Sequence, residues 1–164
     1  MLDYIYQILL SFTATLFFSV IFNAPRRLLI ACGVVGAIAW MIYTVSLDFG
    51  IDKVQASFYG SFTLAIMSHI MSRYYKRPMI IFIVAGIIPL VPGGLAYDAT
   101  KNLVINNYDV AINTSLQATL ISGAIAFGIL SSEIVFQIYI RTKQFFASKK
   151  QKSELYLSET ACVY

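Results

Sequence analysis

The residues best suited to chemistry lie in one short run, Ile87-Ile88-Pro89-Leu90-Val91-Pro92-Gly93-Gly94, which sets two prolines and two glycines inside an apolar stretch of helical length. Pro89 and Pro92 carry no amide hydrogen, and each clashes with the carbonyl four residues back, so a helix through them is broken. Gly93 and Gly94 adopt positive φ without steric penalty. If a helix restarts after Pro92, the amides of Gly93, Gly94 and Leu95 become its free N-terminal donors. The local dipole then favours a negative group, and a carboxylate suits that position. The competing reading is a kink that shapes helix packing and touches no ligand.

Asp98 follows one turn later, near Tyr97, Thr100 and Asn102 in the sequence. It suits a ligand ammonium group or a transferable proton, and equally well a place at the water interface. Glu133 stands eight residues before Arg141, about 12 Å along a helix rising about 1.5 Å per residue. An intramembrane carboxylate there, with Ser131, Ser132 and Gln137 nearby, fits a proton relay. Snorkelling to the interface or pairing across helices fits it as well. His69, four residues before Arg73, has no cysteine or carboxylate companions at metal-binding spacing, so it reads as an interfacial hydrogen-bonding residue. Cys32 and Cys162 form no CxxC pair and read as two free thiols. No GxSxG, HExxH or Walker loop occurs, so nothing in the chain proposes a nucleophile, a metal or a cofactor, and the expectation is a protein that is not an enzyme.

What must position these residues is a set of membrane helices. Of the 164 residues, 59% are hydrophobic and only 12% charged, more apolar surface than one soluble core can bury. Five stretches approach the roughly 20 apolar residues that span a bilayer as a helix. They run from Tyr4 to Phe22, Leu28 to Leu47, Val54 to Ser72, Met79 to Tyr97 and Val110 to Ile140. No period-2 alternation points to a barrel. The expected fold is therefore all-α and polytopic, with about five transmembrane helices, the fourth broken at Pro89 to Gly94. Residues 1–140 form the membrane domain and 141–164 a basic, polar tail. The first stretch lacks a positive n-region and a cleavage site, so it reads as a retained helix rather than a signal peptide.

The net charge of +4 does not make a nucleic-acid face, because the basic residues fall in short clusters between apolar runs. Arg26, Arg27, Arg73, Lys76, Arg77, Arg141, Lys143, Lys149, Lys150 and Lys152 fall on one side of the expected topology, and only Lys53 and Lys101 on the other. By the positive-inside rule the side with ten is cytoplasmic, which puts the N-terminus outside and the C-terminus in the cytoplasm. Small residues at close-packing spacing, Gly33 to Ala37, Ser122 to Ala126 and Ala124 to Gly128, are a packing signal and not chemistry. Asn113-Thr114-Ser115 matches a glycosylation sequon, but it opens the fifth stretch, too near the membrane for an acceptor.

Three features together resemble the threonine/serine exporter family, in the form split into a larger and a smaller membrane subunit. They are Phe22-Asn23-Ala24-Pro25 followed by Arg26-Arg27, the second stretch beginning Ala31-Cys32-Gly33, and Ile88-Pro89-Leu90-Val91-Pro92-Gly93-Gly94-Leu95-Ala96-Tyr97. The resemblance reaches to about Ile140. It implies a small subunit of a secondary exporter in the cell membrane, working with a larger subunit on serine, threonine or a dicarboxylate such as succinate. Pro89, Pro92, Gly93 and Asn23 are the motif positions it carries over. Gly94, Tyr97 and Asp98 join them as substrate-binding candidates on physical grounds, and Asp98 and Glu133 are the proton-coupling candidates. Association between copies of the small subunit is a further possibility, and a non-transporting membrane scaffold is the alternative from another class.

Overall fold

The computed structural model describes the backbone of residues 2–161 and the side chains of residues 4–142. The described residues form six α-helices: α1 (Leu2–Ile21), α2 (Leu29–Asp48), α3 (Lys53–Tyr75), α4 (Ile80–Gly86), α5 (Gly93–Val104) and α6 (Tyr108–Ala161). Short 3-10 turns, Arg26–Leu28 and Ile88–Leu90, precede α2 and follow α4. Among the described residues there is no strand. The chain divides into two compact units, Met1–Ser132 and Glu133–Tyr164. The second consists of the later part of α6. Cys162 lies outside the described residues, as do the side chains of Lys143, Lys149, Lys150 and Lys152.

The expectation of five spans is met in part. On length and hydropathy, Tyr4–Ile21, Arg26–Asp48 and Tyr108–Thr142 are able to cross a membrane, and Ile80–Leu90 with Gly93–Val104 makes a fourth if the bent pair counts as one span. α3 has the length, at 23 residues, but is not among the helices apolar enough to qualify. Gln55, His69 and the serines Ser57, Ser61, Ser68 and Ser72 are what lower its hydropathy.

Within the first unit α2 is the central helix, packed against α1, α3 and α4. The α1–α2 approach depends on glycine: a Cβ on Gly33 would meet the Phe12 ring at 2.6 Å, and one on Gly36 would meet the Thr15 side chain. Two apolar clusters fill the interior. Val35, Ala39, Leu64, Ile83, Leu90, Ile121 and Ile125 bring α2, α3, α4 and α6 together. Leu28, Ala31, Cys32, Phe82 and Ala85, with Met71 against them, form the second cluster, towards the start of α2 and the end of α3. Ser11, Thr15 and Ser19, one turn apart on α1, are buried. Thr15 and Ser19 donate to the carbonyls of Ser11 and Thr15, each at 2.8 Å, so neither hydroxyl enters the interior unsatisfied. At the opposite end from Leu28, the Tyr4 hydroxyl donates to the Asp48 carboxylate, tying the start of α1 to the end of α2.

The loops close in one recurring way. α1, α2, α3 and α5 each end in a left-handed residue, respectively Asn23 (φ 54), Gly50 (φ 78), Lys76 (φ 51) and Asn106 (φ 62). Paired backbone bonds of the Schellman type wrap the ends of α1, α2 and α5, as in Asn23 N to Val20 O and Ala24 N to Ser19 O, both 3.0 Å, whereas at the end of α3 Lys76 N and Arg77 N share Ser72 O.

Candidate functional site

The helix that begins at Ile80 stops where its prolines stop it. Regular bonding ends as Ile87 N donates to Ile83 O at 2.9 Å, and Leu90 N then reaches back only three residues, to Ile87 O. Val91 is extended (ψ 129), Pro92 carries φ −75 and ψ 54, and α5 starts at Gly93. The two helical segments meet at 51°. Pro92 is the centre of an inverse γ-turn, closed by Gly93 N donating to Val91 O at 2.8 Å. That bond revises one expectation, because the Gly93 amide is held by the turn instead of facing a ligand. The first bond of α5 runs from Ala96 N to Pro92 O at 3.1 Å, which leaves Gly94 and Leu95 as first-turn donors that the helix does not satisfy.

Three cavities surround the break. One of about 240 Å³ is lined by Trp40 and Tyr43 of α2, Lys53 and Ser57 of α3, Ile121 of α6, and the whole run from Pro89 to Leu95. A second, about 220 Å³, lies on the α1 side between Gln7, Ser11, Trp40 and Pro89. The third, about 250 Å³, lies on the α6 side between Val91, Pro92, Ser122, Ile125 and Ile129 and is almost wholly apolar. Only the first of the three carries a cation. Its wall includes the Trp40 and Tyr43 rings, 5.2 Å between centroids, and Ser57, whose hydroxyl donates to Lys53 O at 2.7 Å and keeps its lone pairs.

The sequence candidates thus separate. Pro89, Pro92, Gly93 and Gly94 share the first cavity. Tyr97 and Asp98 are exposed on α5 and line none of these spaces, Tyr97 being 68% accessible. The polar neighbours of Asp98 are turned to their own helix: Thr100 donates to Ala96 O and Tyr97 O, and the Asn102 amide donates to Asp98 O at 2.8 Å. Asn23 sits in the loop after α1, where its left-handed backbone ends the helix; it borders a different cavity, with Ser19, Pro25, Ile80 and Val84. Glu133 belongs to the second unit and is half-buried, while Ser132, in the first, is fully buried with no hydrogen-bond partner for its hydroxyl among the described residues. His69 is half-buried on α3, and Cys32 is a buried free thiol with Ser19 in hydrogen-bonding reach.

Lys53 is the cavity-lining residue that sequence reasoning did not single out. It counts there only as a loop charge, and nothing local to it signals that the start of α3 stands beside a turn some 36 positions later in the chain. The signal is tertiary: Gly60 lets α3 approach α2 and Leu90, with Leu90 at 3.0 Å and Ala39 O at 3.3 Å from an added Cβ.

Long apolar helices with outward faces such as Ile5, Leu9, Phe17 and Ile21 of α1 define a membrane-embedded helical protein. The family described as Threonine/Serine exporter, ThrE matches residues 7–135, and the chain belongs to that family. An uncharacterized protein of Haemophilus influenzae strain Rd is similar, 28% identical over 145 residues, which take in 83% of this chain and 48% of the relative. The chain therefore spans about half the length of that curated relative. No solved structure matches it.

Proposed function

We propose that the chain is the smaller half of a two-part secondary exporter, which carries small carboxylate-bearing metabolites out of the cytoplasm together with a larger membrane subunit of the same family. The observation that carries this reading is the first cavity, where the broken helix and Lys53 meet. A carboxylate there has the unsatisfied Gly94 and Leu95 amides and a lysine ammonium to pair with. Such charge-assisted bonds are about twice as strong as neutral ones. The volume of about 240 Å³ is below the roughly 300–1,000 Å³ of drug-sized sites, which suits a metabolite of a few carbons. Serine, threonine and a dicarboxylate such as succinate are the substrates we put forward. Broken helices carry substrate at the midplane of inverted-repeat transporters, and irregular backbone at membrane depth is tolerated only against protein or a watery cavity.

The family match over residues 7–135 supports an exporter subunit. In our reading α3 is a fifth crossing whose serine face turns inward, the bent α4–α5 pair is one crossing, the N-terminus is outside and the basic end faces the cytoplasm of a cell-membrane protein. Trp40 and Pro89 stand between the first cavity and the one on the α1 side, and we assign them as the partition between two access routes.

The test is efflux. Cells lacking endogenous exporters are loaded with labelled serine, threonine and succinate and express this chain, its larger partner, or both, at matched membrane abundance. Efflux only with both is the expected result and names the substrate. Efflux from no combination sinks the exporter reading and leaves a scaffold.

A further inference from the structure

A second feature lies at the other end of the helices and is independent of the exporter reading. The loop after α1 holds Arg26 and Arg27, and the segment closing α3 holds Arg73, Lys76 and Arg77; neither contains an Asp or Glu. Asp48, Asp52 and Asp109 sit at the opposite ends of α2, α3 and α6. Leu28, Met71 and Phe82 pack in one cluster, so the two basic segments converge on one end of the first unit.

Both segments are built rigidly. Asn23 and Lys76 hold left-handed backbone. Arg77 N donates to Ser72 O at 3.1 Å, and the Ser72 hydroxyl donates to Arg77 O at 2.5 Å. Beside these basic segments a cleft of about 240 Å³ opens between α1 and α4, lined by Phe22, Pro25, Ile80, Ile81 and Val84 with Ser19 and Asn23 at its polar edge. An inorganic anion gains nothing from such apolar walls, and a zwitterionic lipid gains nothing from the net positive rim. A ligand with a phosphate head and a hydrocarbon chain gains from both.

We propose that this cleft binds one anionic phospholipid, with an acyl chain along Phe22, Ile80 and Val84 and the phosphate paired with Arg26, Arg27 and Arg77. Each basic residue near a membrane surface contributes about 1 kcal/mol, equivalent to roughly fivefold in affinity. Three together give roughly a 100-fold preference over the zwitterionic lipid, and removing two of them costs roughly 30-fold.

The experiment uses the purified full chain in mild detergent, titrated with phosphatidylglycerol, with phosphatidylcholine of the same chains, and with inorganic phosphate, counting bound adducts by native mass spectrometry. Retention of one phosphatidylglycerol is expected, lost in the R26Q/R77Q double variant and kept in K101Q, whose cation lies at the far end. Both altered arginines are exposed, so the double variant folds, and V84W, which fills the cleft and leaves the cations, should also lose the lipid. Equal retention of the two lipids, an undiminished adduct in R26Q/R77Q, or full displacement by inorganic phosphate each overturns the proposal.

Discussion

Replacing Gly128 by alanine should force α6 away from α3. The new Cβ would meet Phe58 O at 2.9 Å and Phe62 N at 3.2 Å, besides the Ser61 hydroxyl. The hydroxyl can rotate aside at the cost of its bond to Phe58 O, but the other two atoms are the backbone of α3. Ordinary contact begins near 3.4 Å, so the helices must part by about 0.5 Å, a gap at which facing atoms begin to forfeit about a quarter of their dispersion energy. Overpacking of this kind costs about 1–3 kcal/mol. Gly123, on the same helix, has nothing within 4 Å of an added Cβ, so G123A collects only the helix-propensity gain of about 1 kcal/mol. That gain is common to both variants, and their difference isolates the clash. At about 2–4 °C per kcal/mol for a chain of this size, G128A should melt roughly 2–12 °C below G123A. The one tryptophan, Trp40 in α2, reports the transition by fluorescence in mild detergent. Equal melting temperatures would refute the close approach of α3 and α6 at this point.

Three substitutions test the site chemistry in the same efflux system. K53Q removes one charge-assisted bond to the substrate carboxylate; at the low end of its range, about 1.5 kcal/mol because Lys53 is exposed, KM should rise roughly tenfold with abundance unchanged. An unaltered KM removes Lys53 from the site. E133Q should abolish the response of efflux to an imposed pH gradient while sparing substrate exchange, and a preserved response assigns coupling elsewhere. D98N, at an exposed position on α5, should leave both readouts near wild type; a loss of flux at normal abundance would bring Asp98 back as a ligand.

How much could be read beforehand varied with how local the cause was. Pro89 and Pro92 announce an interruption because each lacks a donor, whatever surrounds them, and regular helix stops at Gly86 and resumes at Gly93, bent by 51°. The helical stretches from Tyr4 and from Leu28 emerge as α1 and α2 within two residues at either end, since length and hydropathy are summed along the chain. α3 was read as one of five apolar stretches, and its helix is there, but its serines and His69 leave it short of the hydropathy of a span even though Ser57, Ser61 and Ser68 are buried. Asn23 shows what the motif left unsaid. It entered as a motif residue with a ligand role, whereas its visible task is to accept the left-handed backbone that ends α1. Gly93 entered as a free donor, because a γ-turn around Pro92 depends on the ψ of one residue, which sequence does not specify. Lys53 was out of reach altogether, its role depending on the packing of α3 against α2.

The hydroxyl-lined faces of α1 and α3 have a mechanical consequence. Thr15, Ser19, Ser57, Ser61 and Ser68 all return their hydrogen bonds to carbonyls of their own helix. Among the described residues, few polar contacts cross between α1 and α2: the long one of 3.4 Å from the Ser11 hydroxyl to Gly36 O, the approach of Cys32 to Ser19, and the Tyr4–Asp48 bond at the end of the pair. Sliding α1 along α2 therefore breaks few hydrogen bonds, and most of its resistance comes from shape: Phe12 and Thr15 rest in the notches at Gly33 and Gly36. Such a bearing resists small displacements, then yields to the next fit, so shear between these helices proceeds in discrete clicks instead of a continuous creep.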